Sequence, residues 1–478
     1  MIGAEKPALT RGTKLSYGIG AIALGLKDNG FSYLLLLFYN QVVGLPAATV
    51  GLAIMIALMI DAVLDPMIGQ VSDNWRSRWG RRHPFMYAAA LPVALSYLLL
   101  WYPPLGWSDN ALFLYLIVVA VLIRTSLSLF EIPSTALAPE LTADYHARTG
   151  LMSYRAAFNW YGGLIMAMLT FRVFLQPSPE HPVAQLNSSG YETYGLVSAG
   201  VMFAVILISA LGTHSRIPYL RTPPPRTGGA KQALKEMFGA MANRALLPML
   251  AAGVFNAMAY GLSVALSLYF NTFFWAFSAG QVSLFILAQF GSSALALWLV
   301  GPISHRLGKR NAAILCKIFA CVLGLVPITL RMLGVFPDNG SAILLPLMLS
   351  VHLLAVAFAS IVAILHGSLS ADVVEDHELK SGHRAEGVMA AANIFVAKAV
   401  SGVGIFASSM LLSLVGFPEG AVPGQVDESI IRNLALIYLP VIAAMHTCAI
   451  LCILRYRITR ESHAATVAAL AARTSAQV

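Results

Sequence analysis

Apolar residues run in blocks of 18 or more along almost the whole chain, with short polar stretches between them. Blocks of this length predict membrane-spanning helices. Twelve are predicted, at 17–43, 48–72, 84–103, 111–138, 151–175, 192–213, 246–274, 280–302, 312–334, 342–371, 386–416 and 431–455. Basic residues mark every second gap. Lys6, Arg11 and Lys14 precede the first span, Arg76, Arg78, Arg81 and Arg82 follow the second, and Arg148 follows the fourth. The pattern continues with Arg216–Arg244, Arg306–Arg310, Lys380 with Arg384, and Arg455–Arg460. The alternate loops Pro104–Asn110, Gln176–Tyr191 and Gly416–Ser429 carry no Lys or Arg. By the positive-inside rule both termini are expected in the cytoplasm, and an even number of spans agrees.

Composition supports this all-α membrane reading. Hydrophobic residues make up 58% and charged residues 11%, where a soluble domain has about a quarter charged; mean hydropathy is +0.73. The net charge of +9 is spread over short loops. It reads as topology and contact with membrane lipids, not as a nucleic-acid surface. Cys316, Cys321, Cys448 and Cys452 all lie in apolar runs and read as small buried hydrophobes. No signal peptide, cofactor or partner chain is expected, and the protein is expected to act as a monomer.

The long connection Thr213–Ala245 divides the spans into six and six. The expected organisation is a first bundle at 1–213, a linker at 214–245, a second bundle at 246–455 and a tail at 456–478. Lys231–Arg244 in the linker reads as an amphipathic surface helix. The halves rhyme. Gly69-Gln70-Val71-Ser72-Asp73 leads to Gly80-Arg81-Arg82, and Gly301-Pro302-Ile303-Ser304-His305 leads to Gly308-Lys309-Arg310. Internal repeats of this kind are how secondary transporters are built.

Ionisable residues inside the spans carry the candidate chemistry. Asp61 and Asp65 lie four apart and share a helix face. Each costs about 2.5–3.5 kcal/mol at the centre of a bilayer, so the pair calls for a cation, a basic partner or a shared proton. Asp28 follows Lys27 in the first span. Arg124 and Glu131 lie seven apart in the fourth, with Arg155 at similar depth in the fifth. One network expected from this spacing places Glu131 between Arg124 and Arg155, with Asp28 facing them. Lys398 stands alone in the eleventh span. Asp73, Arg78, Arg81 and Arg82 are candidate gate residues, as are Asp372, Glu375 and Asp376, read against the basic loops after spans two and eight.

The pattern Gly69…Asp73…Gly80-Arg81-Arg82 resembles the loop motif of the major facilitator superfamily. Asp61-Ala62-Val63-Leu64-Asp65-Pro66, then Arg76-Ser77-Arg78-Trp79-Gly80-Arg81-Arg82-His83-Pro84, Glu131-Ile132-Pro133, Arg155 and Lys398 narrow it to the glycoside–pentoside–hexuronide:cation symporters, the melibiose permease-like family. The resemblance implies twelve helices in two pseudo-symmetric bundles and alternating access in the plasma (bacterial inner) membrane. It implies a coupling ion, Na⁺ or H⁺, at Asp61 and Asp65 beside Ser128, with Lys398 tied to that site. It also implies sugar contacts at Asp28, Glu131 and Arg155. Arg124 joins the candidate substrate residues from its spacing alone. Two positions depart from the family. Leu64 stands where an amide is common, which removes one oxygen ligand and opens H⁺ coupling beside Na⁺. Thr135 replaces a sugar-stacking Trp, a role Trp160 and Tyr161 could take over. Sodium-dependent lysophosphatidylcholine transporters share the Asp-x-x-x-Asp-Pro motif and the Lys, so an amphiphile is the alternative cargo. Membrane enzymes lack support, since no metal, nucleophile or nucleotide motif is present. A non-transporting receptor is the remaining alternative.

Overall fold

The computed structural model describes residues 9–142, 144–179, 181–220, 247–381, 386–456 and 458–477. Among these there is no strand. The helices are α1 (Arg11–Val42), α2 (Ala47–Asn74), α3 (His83–Trp101), α4 (Asp109–Leu141), α5 (Tyr145–Leu169) and α6 (Ser188–His214), then α7 (Leu247–Tyr269), α8 (Ala279–Leu307), α9 (Lys309–Met332), α10 (Leu344–Ser381), α11 (Glu386–Leu414), α12 (Glu428–Leu454) and α13 (Arg460–Gln477). The first twelve match the expected spans one to one. Eleven are long and apolar enough to cross a membrane. The exception is α5, whose Arg155 and Asn159 lie one turn apart on one face. That face is accommodated by close packing on α1: a Cβ on Gly25 would run into the backbone of Asn159, and Gly163 meets the Gly25 carbonyl. Small residues at such a crossing let two backbones approach.

Several boundaries differ from the sequence reading. The first span is α-helical over Arg11–Ile19 and Ile22–Asn29, then passes through π-helical turns at Gly30–Leu34 and Phe38–Val42. The tenth helix runs on to Ser381, so Asp372 and Glu375 sit on helix and not on a loop. The tail is a helix, α13. The amphipathic helix expected at Lys231–Arg244 lies outside the described residues.

The chain falls into two compact units. One comprises 1–231 with 264–283 and 405–426; the other comprises 232–263, 284–404 and 427–478. In the first, rows such as Leu91, Leu95 and Leu99 on α3, or Leu114, Val118 and Leu122 on α4, are exposed. They recur every four residues, forming the apolar outer stripes expected of a helix in lipid. Polar side chains explain why the two short outlying segments group here. Gln41 Nε2 donates to the Pro418 carbonyl at 3.0 Å and the Ala421 amide donates to Gln41 Oε1 at 2.7 Å. Tyr269 donates to Asn40 Oδ1 at 2.7 Å, and Gln185 to the Phe277 carbonyl at 2.8 Å. The second unit has its own core of small and branched residues, including Met249, Ala312, Ala313, Cys316, Ile361, Leu365 and Val373.

Candidate cation and substrate site

Asp61 is held deep in the first unit, with 2% of its surface exposed. Its Oδ2 accepts from Arg124 Nη2 at 2.8 Å, and both side chains are almost fully buried. Its other oxygen, Oδ1, lies 3.0 Å from Ser128 Oγ, which also lies 2.6 Å from Asp65 Oδ1. Ser128 has one hydroxyl proton, so it serves one carboxylate at a time, and the three oxygens converge. The side chains meet because Arg124 and Ser128 are one turn apart on α4, and Asp61 and Asp65 one turn apart on α2. Asp61, Asp65 and Arg124 together count to one negative charge. A monovalent cation or a proton drawn to these oxygens competes with whatever else balances that charge. Leu64 contributes no oxygen.

The expected network around Glu131 is arranged differently. Arg124 engages Asp61, since seven residues along α4 separate it from Glu131 by about 10 Å. Arg155 is spent on α4 itself: Nη1 donates to Ser134 Oγ at 2.9 Å and Nη2 reaches the Glu131 backbone carbonyl at 3.4 Å. Thr135 donates to that same carbonyl at 2.7 Å. Asp28 pairs with its neighbour Lys27 at 2.7 Å, with Lys27 buried and 57% of the Asp28 side chain exposed. A carboxylate this exposed in the middle of a span is costly against hydrocarbon, so the surface it reaches is aqueous. Trp160 and Tyr161 are both about two-fifths exposed.

Residues outside the sequence reading complete the site. The Tyr97 hydroxyl donates to the Leu26 carbonyl at 3.1 Å and lies 2.6 Å from the Tyr194 hydroxyl. Both tyrosines are buried and fix the turn that carries Lys27 and Asp28. Directly after it comes the π turn, a feature common at functional sites. It presents Phe31 to Arg124, whose guanidinium lies 5.3 Å from the ring centroid. A continuous line of contacts therefore runs from the Asp28 turn through Phe31 and Arg124 to Asp61, Ser128 and Asp65. No spacing rule on α1 reveals Phe31, because the π turn breaks the helical count.

At the basic end of this unit, Arg82 forms ion pairs with Asp73 and with Glu140 and donates to Ser72 Oγ at 2.8 Å, while Arg81 also binds Glu140. The sequence reading brought Asp73, Arg81 and Arg82 forward but missed Glu140. Arg78 is exposed and lies over the Trp79 ring, apart from this cluster. In the second unit Lys309 donates to both oxygens of Asp372 at 2.7 and 2.9 Å. His463 of α13 lies 2.8 Å from Glu375. The side chain of Asp376 lies outside the described residues. Lys398 is half-buried on α11 in this unit, and its carbonyl accepts from Ser401.

Among the described residues, eleven helices long and apolar enough to cross a membrane, with charged groups buried mid-span, define a multi-pass membrane protein. The likeness to a solved D-xylose-proton symporter shows the major facilitator fold: TM-score 0.64 at 15% identity, covering 94% of this chain and 98% of that one. The chain belongs to the MFS/sugar transport protein family, whose model matches residues 16–460. It is 38% identical over 216 residues to the uncharacterized symporter sll1374 of Synechocystis sp., covering 44% of this chain and 37% of that protein. With the inner membrane symporter YicJ of Escherichia coli it shares 26% identity over 225 residues, 47% of each. These two matches thus span less than half of the relatives' lengths. The isoprimeverose transporter of Lactiplantibacillus pentosus aligns more fully, 23% identical over 84% of this chain and 80% of that one. The resemblance first seen at Asp61–Pro84 is borne out by this family.

Proposed function

We propose that the protein is a cation-coupled symporter for a sugar or glycoside that works by alternating access. The observation that carries the reading is the convergence of Asp61 Oδ1, Asp65 Oδ1 and Ser128 Oγ, with Arg124 holding the far oxygen of Asp61. Carboxylate and hydroxyl oxygens suit a hard cation, and two neighbouring carboxylates equally suit one shared proton. Na⁺ or H⁺ is therefore the coupling ion, held by Asp61, Asp65 and Ser128. Asp28 supplies the substrate contact, because its exposed carboxylate matches sugar hydroxyls and would be costly beside a lipid tail. Arg155, Glu131, Thr135 and Trp160 of α4 and α5 are the other candidate substrate contacts of this unit. The family match and the likeness to the isoprimeverose transporter support a sugar-like cargo.

Coupling follows from the line of contacts. A cation at Asp61 weakens the hold of Arg124, which moves against Phe31 and the Asp28 turn. By linkage, substrate at Asp28 changes cation affinity by the same factor. The basic loops support an orientation with both termini in the cytoplasm, and the membrane proposed is the plasma (bacterial inner) membrane. The test is uptake into proteoliposomes of a panel of labelled pentosides and hexosides under imposed Na⁺ or H⁺ gradients. One gradient is expected to drive accumulation, and Asp61→Asn to lower it on the order of 10–100-fold, as removal of an ion ligand's support does. If neither gradient drives any sugar and Asp61→Asn leaves uptake unchanged, the reading fails.

A further inference from the structure

Three polar side chains from three helices gather inside the second unit, Asn256 of α7, Lys317 of α9 and His366 of α10, and His446 of α12 lies within reach of the Lys317 charge. Lys317 is 7% exposed, turned away from the exposed face of α9 that bears Leu315, Ile318 and Val322. Its Nζ donates to Asn256 Oδ1 at 2.5 Å. A Cβ on Gly253, one turn before Asn256, would stand 3.5 Å from His366 Nε2, so that imidazole faces the same stretch of α7. The Lys317 charge acts on both His366 and His446. The Nδ1 atoms of both imidazoles are buried and make no hydrogen bond among the described residues. The other titratable groups close by are Cys316 and Cys321 on α9, and Tyr438 of α12, which bonds Ser263 at 3.2 Å. His352 lies 14 residues before His366 on α10, too far along the helix to take part.

No carboxylate joins this cluster among the described residues. Ion pairs of the second unit among the described residues include Lys309–Asp372, Arg331–Asp338 and the His463 contacts, and none of these includes Lys317. An ammonium taken out of water without a counter-charge costs several kcal/mol. Three remedies exist: a bound anion, polar acceptors, or loss of the proton. The neighbours here are one amide oxygen and two imidazoles, groups that exchange protons and carry no fixed negative charge.

We propose that Asn256, Lys317, His366 and His446 form a second proton-binding site, built wholly within the second unit and independent of the carboxylate cluster. The step is simple. An N–H bond of the Lys317 ammonium breaks, the electron pair stays on Nζ, and the proton passes to an imidazole nitrogen and on to water. Asn256 then turns from accepting to donating, through its amide N–H to the free amine. The bound species is a proton, so no wide entry path is required.

The experiment is a difference titration of the purified full-length protein in detergent, counting protons released between about pH 6 and about pH 10, where histidine and lysine chemistry falls. Wild type is expected to release about one proton more per chain than Lys317→Met, and Asp61→Asn to release as much as wild type at this site. Lys317→Arg keeps a fixed charge and is expected to show no such release. It also guards against a Met variant that fails to fold. Equal release from wild type and both Lys317 variants would overturn the proposal. A wild-type release that is absent in chloride and appears only when chloride is replaced by gluconate would also overturn it, because Lys317 would then be a cation held by a bound anion.

Discussion

The two loops that carry the internal repeat solve one problem with unequal means. In each, a glycine with positive φ stands directly before the basic pair: Gly80 at +73° before Arg81 and Arg82, and Gly308 at +74° before Lys309 and Arg310. In each, a basic side chain reaches a carboxylate on the helix two further on, Glu140 of α4 or Asp372 of α10. The shared backbone conformation shows that the rhyme is structural. The difference lies in depth. Arg82 and Glu140 are 5% and 9% exposed, and Asp73 closes a buried network. His305 stands where Asp73 would be, and Arg310 donates instead to the Leu454 carbonyl at 2.7 Å. Lys309 is 39% exposed, and Asp372 draws further support from Tyr456 at 3.1 Å and from His463 of α13. One end is locked by its own residues, while the other leans on the tail.

This contrast can be broken by mutation. Arg82→Ala is expected to cost the most, about 3–5 kcal/mol, because it removes the buried guanidinium that bridges Asp73, Glu140 and Ser72; thermal unfolding in detergent reads it. Asp372→Asn removes a buried acceptor but leaves Lys309 solvated, so about 1–3 kcal/mol is expected in the same assay. Gly80→Ala and Gly308→Ala test the common backbone, each losing about 1–2 kcal/mol for a side chain at positive φ. Unequal losses there would argue against a true repeat. Lys309→Ala is expected to cost under about 1 kcal/mol, since its charge is exposed and screened. A loss as large as that of Arg82→Ala would erase the distinction between the two ends.

Much of this is legible in the sequence. Apolar block length revealed all twelve spans, because lipid leaves few other ways to satisfy a backbone. The i, i+4 spacing of Asp61 and Asp65 was enough to put them on one face, and Ser128 joined them through the family pattern. What spacing could not decide was partnership. Arg124 had two eligible carboxylates, and only the crossing of α2 with α4 selects Asp61 over Glu131. Glu140 was overlooked because it follows Pro139 at a helix end, where a carboxylate looks like loop. Lys317 was legible by the rule that flagged Lys398, a lone charge in an apolar run, which applies to it equally.

The π turn at Gly30–Leu34 has a consequence for comparing this protein with others. Such a turn holds one residue more than the α-helical ladder needs. A chain with a single deletion there could keep both helix ends in place while shifting every number after it. Counting from the N-terminus is therefore an unsafe way to find the counterpart of Asp28 in another transporter. The dependable landmark is the carbonyl gripped by the Tyr97–Tyr194 pair, because insertions slide past an anchored point without moving it.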